Sequence, residues 1–260
     1  MELNSKGGFL MKIFKKVSAV ALAICLFFGL VAMTNTSIVA KADTQPVKLY
    51  YLDSFGGKYG RSNYTVYIKI NHNAQNKAVY LHYYTQNGSQ WYDQAGEYVT
   101  TISDGSEIWK VTPSSAYGIL YAIKYVGDGQ TYWDNNNGNN YTNTDVLGDT
   151  PAIKLKRITS SSLNGTTSIH LDAVVKNLDY TKIVKVRYTD DNWATYQDVP
   201  LTYYSSISDT NNELWSGSIS IDSSKTSSFK FCAYYTVNNT TYWDNNFGAN
   251  YDINYIYQPY

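Results

Sequence analysis

The chain has 260 residues, 21 Lys and Arg against 21 Asp and Glu, 16% charged residues and 16% aromatic ones. So sparse and balanced a charge excludes nucleic acid, whose phosphates require a cationic surface. Two Cys in the whole chain exclude a disulfide framework.

The first predicted element is a leader. Lys12, Lys15 and Lys16 precede an apolar run from Val17 to Met33, and Ala40-Lys-Ala42 supplies an A-x-A exit before Asp43. Charge, length and exit sequence read as a secretory signal peptide over residues 1–42, and the run sits at the short edge for a membrane span. Its removal leaves 218 residues with sixteen basic and twenty acidic side chains, a net of about −4. That length suffices for two domains of about 100 residues. A secreted, extracellular protein with no membrane contact after signal removal is the expectation. Cys25 leaves with the leader, and Cys232, in Phe229-Lys-Phe-Cys-Ala-Tyr-Tyr, reads as a small buried apolar residue.

Beyond the leader the apolar period is two. Val66, Ile68 and Ile70 alternate with Tyr67 and Lys69; Ile169, Leu171 and Ala173 with His170 and Asp172; Val184, Val186 and Tyr188 with Lys185 and Arg187. Such runs are half-buried strands. Asn87-Gly88, Asp104-Gly105, Asp128-Gly129 and Asn164-Gly165 mark turns, where positive φ is needed. No segment after the leader reads as an amphipathic helix. The predicted fold is all-β: two tandem immunoglobulin-like antiparallel β-sandwiches, residues 43–148 and 149–260, meeting at Gly148-Asp-Thr-Pro151 where both strand patterns stop.

The two-domain reading is carried by a repeat. Thr131-Tyr-Trp-Asp-Asn-Asn-Asn-Gly-Asn-Asn-Tyr141 returns as Thr241-Tyr-Trp-Asp-Asn-Asn-Phe-Gly-Ala-Asn-Tyr251, nine of eleven positions identical at an offset of 110. Glu107-Ile-Trp109 matches Glu213-Leu-Trp215 at 106, Val79–Tyr83 matches Val184–Tyr188 at 105, and Trp91 matches Trp193 at 102. Drifting offsets are loop insertions between retained strands. A core would tolerate any apolar residue of similar volume, so repeated indoles and amides read as a repeated surface. Aromatic faces beside carboxamides suit sugars, which offer C–H faces to stack and hydroxyls to hydrogen-bond. Trp109 and Trp215 read mainly as packing, and Asp134 and Asp244 as braces for their own Asn-rich turns.

Val175-Lys-Asn-Leu-Asp-Tyr-Thr-Lys182, Val184-Lys-Val-Arg-Tyr-Thr-Asp-Asp-Asn-Trp193, Phe231-Cys-Ala-Tyr-Tyr-Thr-Val237 and Tyr242-Trp-Asp-Asn-Asn-Phe-Gly-Ala-Asn-Tyr251 occur in that order. Together they resemble carbohydrate-binding module family 21, the starch- and glycogen-binding domains of fungal glucoamylase and of glycogen-targeting phosphatase subunits. The resemblance runs from about Ile153 to Tyr255, and more loosely from about Val47 to Val146. It implies a β-sandwich that binds α-1,4-linked glucan without catalysis or cofactor. One implied sugar site has Trp193 and Trp243 with Asn245 and Asn250, and in the first repeat Trp91 and Trp133 with Asn135 and Asn140. A further aromatic of that site falls on Ala122 and Cys232, which lack rings. A second site uses Tyr180, where the first repeat has Gln75. Lys77, Glu107, Lys182 and Glu213 also fall on ligand-contacting positions.

Three other classes compete. An enzyme would need a carboxylate pair, yet the mature chain has only Glu97, Glu107 and Glu213 as glutamates, its histidines show no metal-ligand spacing, and no G-x-S-x-G occurs. A calcium loop starting at Asp134 would put Gly138 at position five and Asp145 at twelve, neither fitting an EF-hand; no metal is expected. An extracellular adhesin or structural sandwich that binds protein is the alternative the residues leave open, since Tyr and Trp also serve protein interfaces. A separate amylolytic enzyme is a further candidate partner for a chain that holds glucan without cutting it.

Overall fold

The structure, a computed structural model, describes residues 45–56, 62–71, 74–85, 90–113 and 119–255. The leader and the Asn87-Gly88 turn lie outside the described residues. Among the described residues nine strands form the first half: β1 (Val47–Gly56), β2 (Ser62–Ile70), β3 (Lys77–Thr85), β4 (Trp91–Ala95), β5 (Glu97–Thr101), β6 (Glu107–Val111), β7 (Ile119–Gly127), β8 (Gln130–Asp134) and β9 (Tyr141–Thr142). Nine more form the second: β10 (Ile153–Leu163), β11 (Thr166–Lys176), β12 (Lys182–Thr189), β13 (Gln197–Pro200), β14 (Thr202–Ile207), β15 (Asn212–Asp222), β16 (Lys230–Val237), β17 (Thr240–Asp244) and β18 (Tyr251–Asp252). Helix among the described residues is limited to single 3-10 turns.

Each half pairs a four-stranded sheet with a five-stranded one, and the strand orders correspond. The first half runs β1-β2-β6-β5 against β4-β3-β7-β8, with β9 on β7; the second runs β10-β11-β15-β14 against β13-β12-β16-β17, with β18 on β16. Among the described residues every strand pairing is antiparallel. The predicted alternation holds where it was read: Val66, Ile68 and Ile70 of β2 join Val79, Leu81, Ile123 and Tyr125 from the facing sheet in one buried cluster. Ile169, Leu171 and Ala173 of β11 join Val184, Val186 and Phe231 in another. Both cores therefore form between two sheets, with one face of each strand turned inward.

Those two cores lie within one compact unit, Gln45–Tyr260. The β1–β2 register slips between Leu49 and Tyr51, a bulge that re-aims the chain at Tyr50. Tyr51 stacks on Tyr67 at 4.3 Å, and Phe247 from the second half sits 5.8 Å from Tyr50 and 6.1 Å from Tyr51. Lys154 of β10 lies over the Tyr51 ring at 4.6 Å and the Tyr251 ring at 4.9 Å. At the connection, a Cβ on Gly148 would stand 1.8 Å from the Leu49 carbonyl oxygen. Only glycine allows that approach.

Candidate functional site

The outer face of the five-stranded sheet of the second half carries an aromatic platform built on one ion pair. Arg187 of β12 and Asp198 of β13 are register partners. Their contact is bidentate, Nε to Oδ1 at 2.7 Å and Nη2 to Oδ2 at 2.9 Å. The guanidinium lies 4.0 Å from the Tyr196 ring, 5.4 Å from the Trp243 ring and 5.6 Å from the Tyr234 ring. Tyr234 of β16 pairs with Trp243 of β17, ring to ring at 4.9 Å, and donates its hydroxyl to Asp198 Oδ2 at 2.9 Å. Hydrogen bonding from Arg187 holds Asp198 below the ordinary carboxylate range and raises Arg187 in return. The planar cation thus fixes three rings by cation–π contact, while Trp243 stays 46% exposed.

The first half builds the corresponding surface from different residues. His82 of β3 and Asp93 of β4 are register partners, Nδ1 to Oδ1 at 2.6 Å. Trp91 stacks on His82 at 4.7 Å and 5°, and Trp133 meets the same imidazole edge-on at 5.3 Å and 81°. Lys124 donates to Asp93 at 2.7 Å and lies 5.8 Å from the Trp133 ring. Burial pulls Asp93 upward, but the bonds from Lys124 and His82 outweigh it and leave the carboxyl lowered. His82 and Arg187 each stand eleven residues before their carboxylate, so the two platforms share one plan. Trp91 and Trp133 are 38% and 41% exposed.

Strand register corrects one expected equivalence. Trp91 stands two residues before Asp93, and the residue two before Asp198 is Tyr196, not Trp193. Trp193 lies on the turn before β13 at φ 72°, half-buried, its backbone N–H donating to Thr189 Oγ1 at 2.9 Å. Its ring is not among those over Arg187. Ala122 and Cys232 are register partners of His82 and Arg187 and are buried beneath the platform. The next residues on the same face, Lys124 and Tyr234, supply the contacts those small residues lack. Burial also pushes the Cys232 thiol up to about 11, consistent with an inert, packed side chain.

The Asn-rich loops after β8 and β17 are largely self-supporting. Asn135 and Asn245 each cap a 3-10 turn by accepting from the backbone N–H of Gly138 and Gly248, both at 3.0 Å. Asn140 and Asn250 take positive φ, 59° and 61°, and their carbonyls accept from the carboxamides of Asn136 and Asn246 at 3.1 Å. Asp134 accepts from Leu49 N at 2.7 Å and from the Tyr141 hydroxyl at 2.9 Å; Asp244 accepts from Leu155 N at 2.7 Å and from Tyr251 at 2.8 Å. These carboxylates clamp the loop to the first strand of their half as well as bracing the turn. The repeated Asp…Tyr spacing is therefore an internal requirement, which corrects the reading of the whole motif as surface. Burial first, then the neighbouring carboxylate, raises both Tyr141 and Tyr251.

A second concavity of about 700 Å³ in the second half is lined by Tyr180, Lys182, Tyr203, Glu213 and Trp215. Tyr180 is 97% exposed, and Tyr203 meets Trp215 edge-on at 6.0 Å. Lys182 donates to both Glu213 oxygens at 2.9 Å, and the Trp215 indole donates to Glu213 Oε2 at 3.0 Å. Lys77, Glu107 and Trp109 repeat that chain at 2.6 and 2.9 Å, with Tyr98 edge-on to Trp109 at 6.0 Å. All four expected ionic residues are thus engaged with each other, orienting an indole. Gln75 is exposed and brings no ring. Tyr203, Tyr196, Tyr234, Arg187 and His82 were missed as site residues. The eleven-residue spacing of cation and carboxylate was the available signal for Arg187 and His82. Among the described residues no group of three His, Cys, Asp or Glu could hold a metal ion.

Three named proteins show what the chain is similar to. Protein phosphatase 1 regulatory subunit 3B of Homo sapiens is 39% identical over 83 residues, 30% of this chain and 29% of its own length. Protein phosphatase 1 regulatory subunit 3C-B of Danio rerio is 35% identical over 82 residues, 30% of this chain and 26% of its length. Glucoamylase 1 of Rhizopus oryzae is 33% identical over 111 residues, 37% of this chain and 18% of its length. The chain therefore spans under a third of these relatives. The solved starch-binding domain of Rhizopus oryzae glucoamylase, in complex with β-cyclodextrin and maltoheptaose, aligns with a TM-score of 0.33 and 27% identity over 40% of this chain and 94% of that one. The second half, residues 149–254, matches the family model of the carbohydrate/starch-binding module (family 21).

Proposed function

We propose that the protein is a secreted, non-catalytic α-glucan-binding protein. Its two immunoglobulin-like carbohydrate-binding modules, residues 43–148 and 149–260, stand in tandem. The observation that carries this reading is the exposed Trp243 ring held over Arg187 and Tyr234, inside the segment that matches the starch-binding model. Support for the first module comes from the corresponding strand order and from Trp91 and Trp133 on the His82–Asp93 frame. Support for secretion comes from the leader's charge, apolar run and exit sequence.

An α-linked glucose ring stacked on an indole removes apolar surface from water at about 25 cal/mol per Å². Neighbouring side-chain hydroxyls and amides add about 0.5–1.5 kcal/mol per hydrogen bond. An open platform of this kind binds in the micromolar to millimolar range, where 1 mM is about −4 kcal/mol. Tethering two such platforms raises avidity about 10²–10⁴-fold on one polymer, which gives duplication a purpose. The Tyr180 concavity supplies a second stacking surface in the second module only. A separate amylolytic enzyme is the natural consumer of glucan so held.

Titration calorimetry with β-cyclodextrin, maltoheptaose and cellohexaose tests the reading. Heat with the two α-linked ligands and none with cellohexaose is expected. Equal binding of all three, or none, sinks the α-glucan assignment. The competing reading, a protein partner, is favoured by the regulatory-subunit names of the relatives and predicts no saccharide heat.

A further inference from the structure

Between the two halves lies a cleft of about 410 Å³, within the range of small-ligand pockets. The first half contributes Tyr50 and the β5–β6 turn with Thr101 and Ser103; the second contributes Lys154, Trp243 and Asn245. No platform residue other than Trp243 is shared with it, so Trp243 joins the open surface to the cleft. We propose that this cleft is an extension subsite for a linear α-glucan, taking the sugar units beyond those stacked on the platform of the second half. The proposal rests on the α-glucan reading of Trp243.

The lining has the chemistry of a polyol site. Tyr50 and Trp243 are aromatic, while Thr101, Ser103 and Asn245 carry hydroxyl and carboxamide groups. Its one cation, Lys154, is already compensated: the ammonium hydrogen-bonds the Tyr251 hydroxyl, stands 3.6 Å from Asp244 and lies over the rings of Tyr51 and Tyr251. An anionic ligand would find no free positive charge among these residues. The walls are also held before any ligand arrives. The bulge at Tyr50 turns its ring toward Phe247, 5.8 Å away, and burial together with Asp244 pushes the Tyr50 phenol up to about 12, keeping it a neutral donor. Phe247 holds φ 56°, a costly conformation for a bulky residue, where the first half has Asn137 at φ 55°. A single-module chain could not form this cleft, because its walls come from both halves.

The test uses the full mature chain and three proteins: wild type, Ser103→Trp and Trp243→Ala. Ser103 is exposed on a turn, so the indole plugs the cleft from its rim without removing packing. Calorimetry with maltotriose and maltoheptaose is combined with amide chemical shifts of Ile102 and Ser103. The wild type is expected to prefer maltoheptaose about tenfold or more, with the Ile102 and Ser103 amides shifting for the long ligand only. Ser103→Trp is expected to abolish the preference while leaving maltotriose affinity unchanged. A Ser103→Trp protein that keeps the full preference, or turn amides that never move, overturns the cleft proposal alone. Maltotriose affinity undiminished by Trp243→Ala overturns the sugar-stacking role of Trp243 and the extension with it, and wild type that binds neither saccharide overturns the α-glucan reading as a whole.

Discussion

Tyr121 and Phe231 occupy matching positions, each stacked on the closing tyrosine of its half, Tyr141 at 5.5 Å and Tyr251 at 5.4 Å. Among the described residues, the Tyr121 hydroxyl is the buried side-chain polar atom without a hydrogen-bond partner. A buried unpaired polar group costs about 1–3 kcal/mol, and the second half has dispensed with it. Tyr121→Phe should therefore stabilise the protein by about 1–3 kcal/mol, read as a higher urea midpoint at unchanged slope. The opposite sign is expected at Asp244, which is paired with Lys154 in a site where both side chains are under 10% exposed. Asp244→Ala leaves a buried ammonium without its counter-ion, and the Leu155 amide and the Tyr251 hydroxyl without their acceptor, and should cost about 3–5 kcal/mol by the same measurement. At this scale the exposed indoles were legible, because Trp beside Asn, Asp and Gly has nowhere apolar to go. The inward role of Asp134, Asp244, Tyr141 and Tyr251 was less so: identical residues at identical spacing look alike in sequence whether a sugar or the chain itself demands them.

The strands were readable from their period, and the type of turn from Asp128-Gly129 and Asn164-Gly165, which do take positive φ, 50° and 78°, then 51° and 79°. Register was not readable. Bulges at Tyr50, between Tyr98 and Thr100, and between Tyr203 and Ser205 decide which residues face each other, and one slipped residue turns a side chain to the other face. The Trp91 equivalence turns on offset instead: β3–β4 and β12–β13 pair without a bulge, and Tyr196 stands 105 residues after Trp91, the same offset as Val184–Tyr188 from Val79–Tyr83, whereas Trp193 at 102 falls in the preceding turn. The cross-strand Arg187–Asp198 pair should matter to binding more than to folding. Asp198→Ala frees the guanidinium and the Tyr234 hydroxyl, and should weaken maltoheptaose binding about tenfold or more in calorimetry. A different ion pair makes a pH prediction. The hydrogen bond from Lys69 holds Asp104 down at about 2, below its value in the unfolded chain. Its stabilising contribution is thus present above about pH 4 and lost as pH falls toward 2. Asp104→Asn should be less stable than wild type near neutrality, with the gap closing toward pH 2 in acid-unfolding curves.

On the scale of the whole molecule, two cores share one compact unit, and their contact includes one aromatic side chain, Phe247, that the first repeat lacks. Phe247 replaces the Asn137 of the first loop and reaches the Tyr50–Tyr51–Tyr67 cluster. A repeat comparison flags that difference without saying which surface receives the ring. Phe247→Asn relieves the backbone but removes the contact; scanning calorimetry should show one transition in the wild type and two in the variant as the halves uncouple.

Under the proposed function, exposed indoles on the two platforms grip α-glucan. Electrophoresis of the native protein in gels with and without amylopectin, run beside Trp243→Ala, Trp133→Ala and the double variant, tests it most directly. Strong retardation of the wild type, reduced in each single variant and reduced furthest in the folded double variant, is the predicted result. Wild-type mobility unchanged by amylopectin, or a double variant retarded as strongly as the wild type, would contradict it.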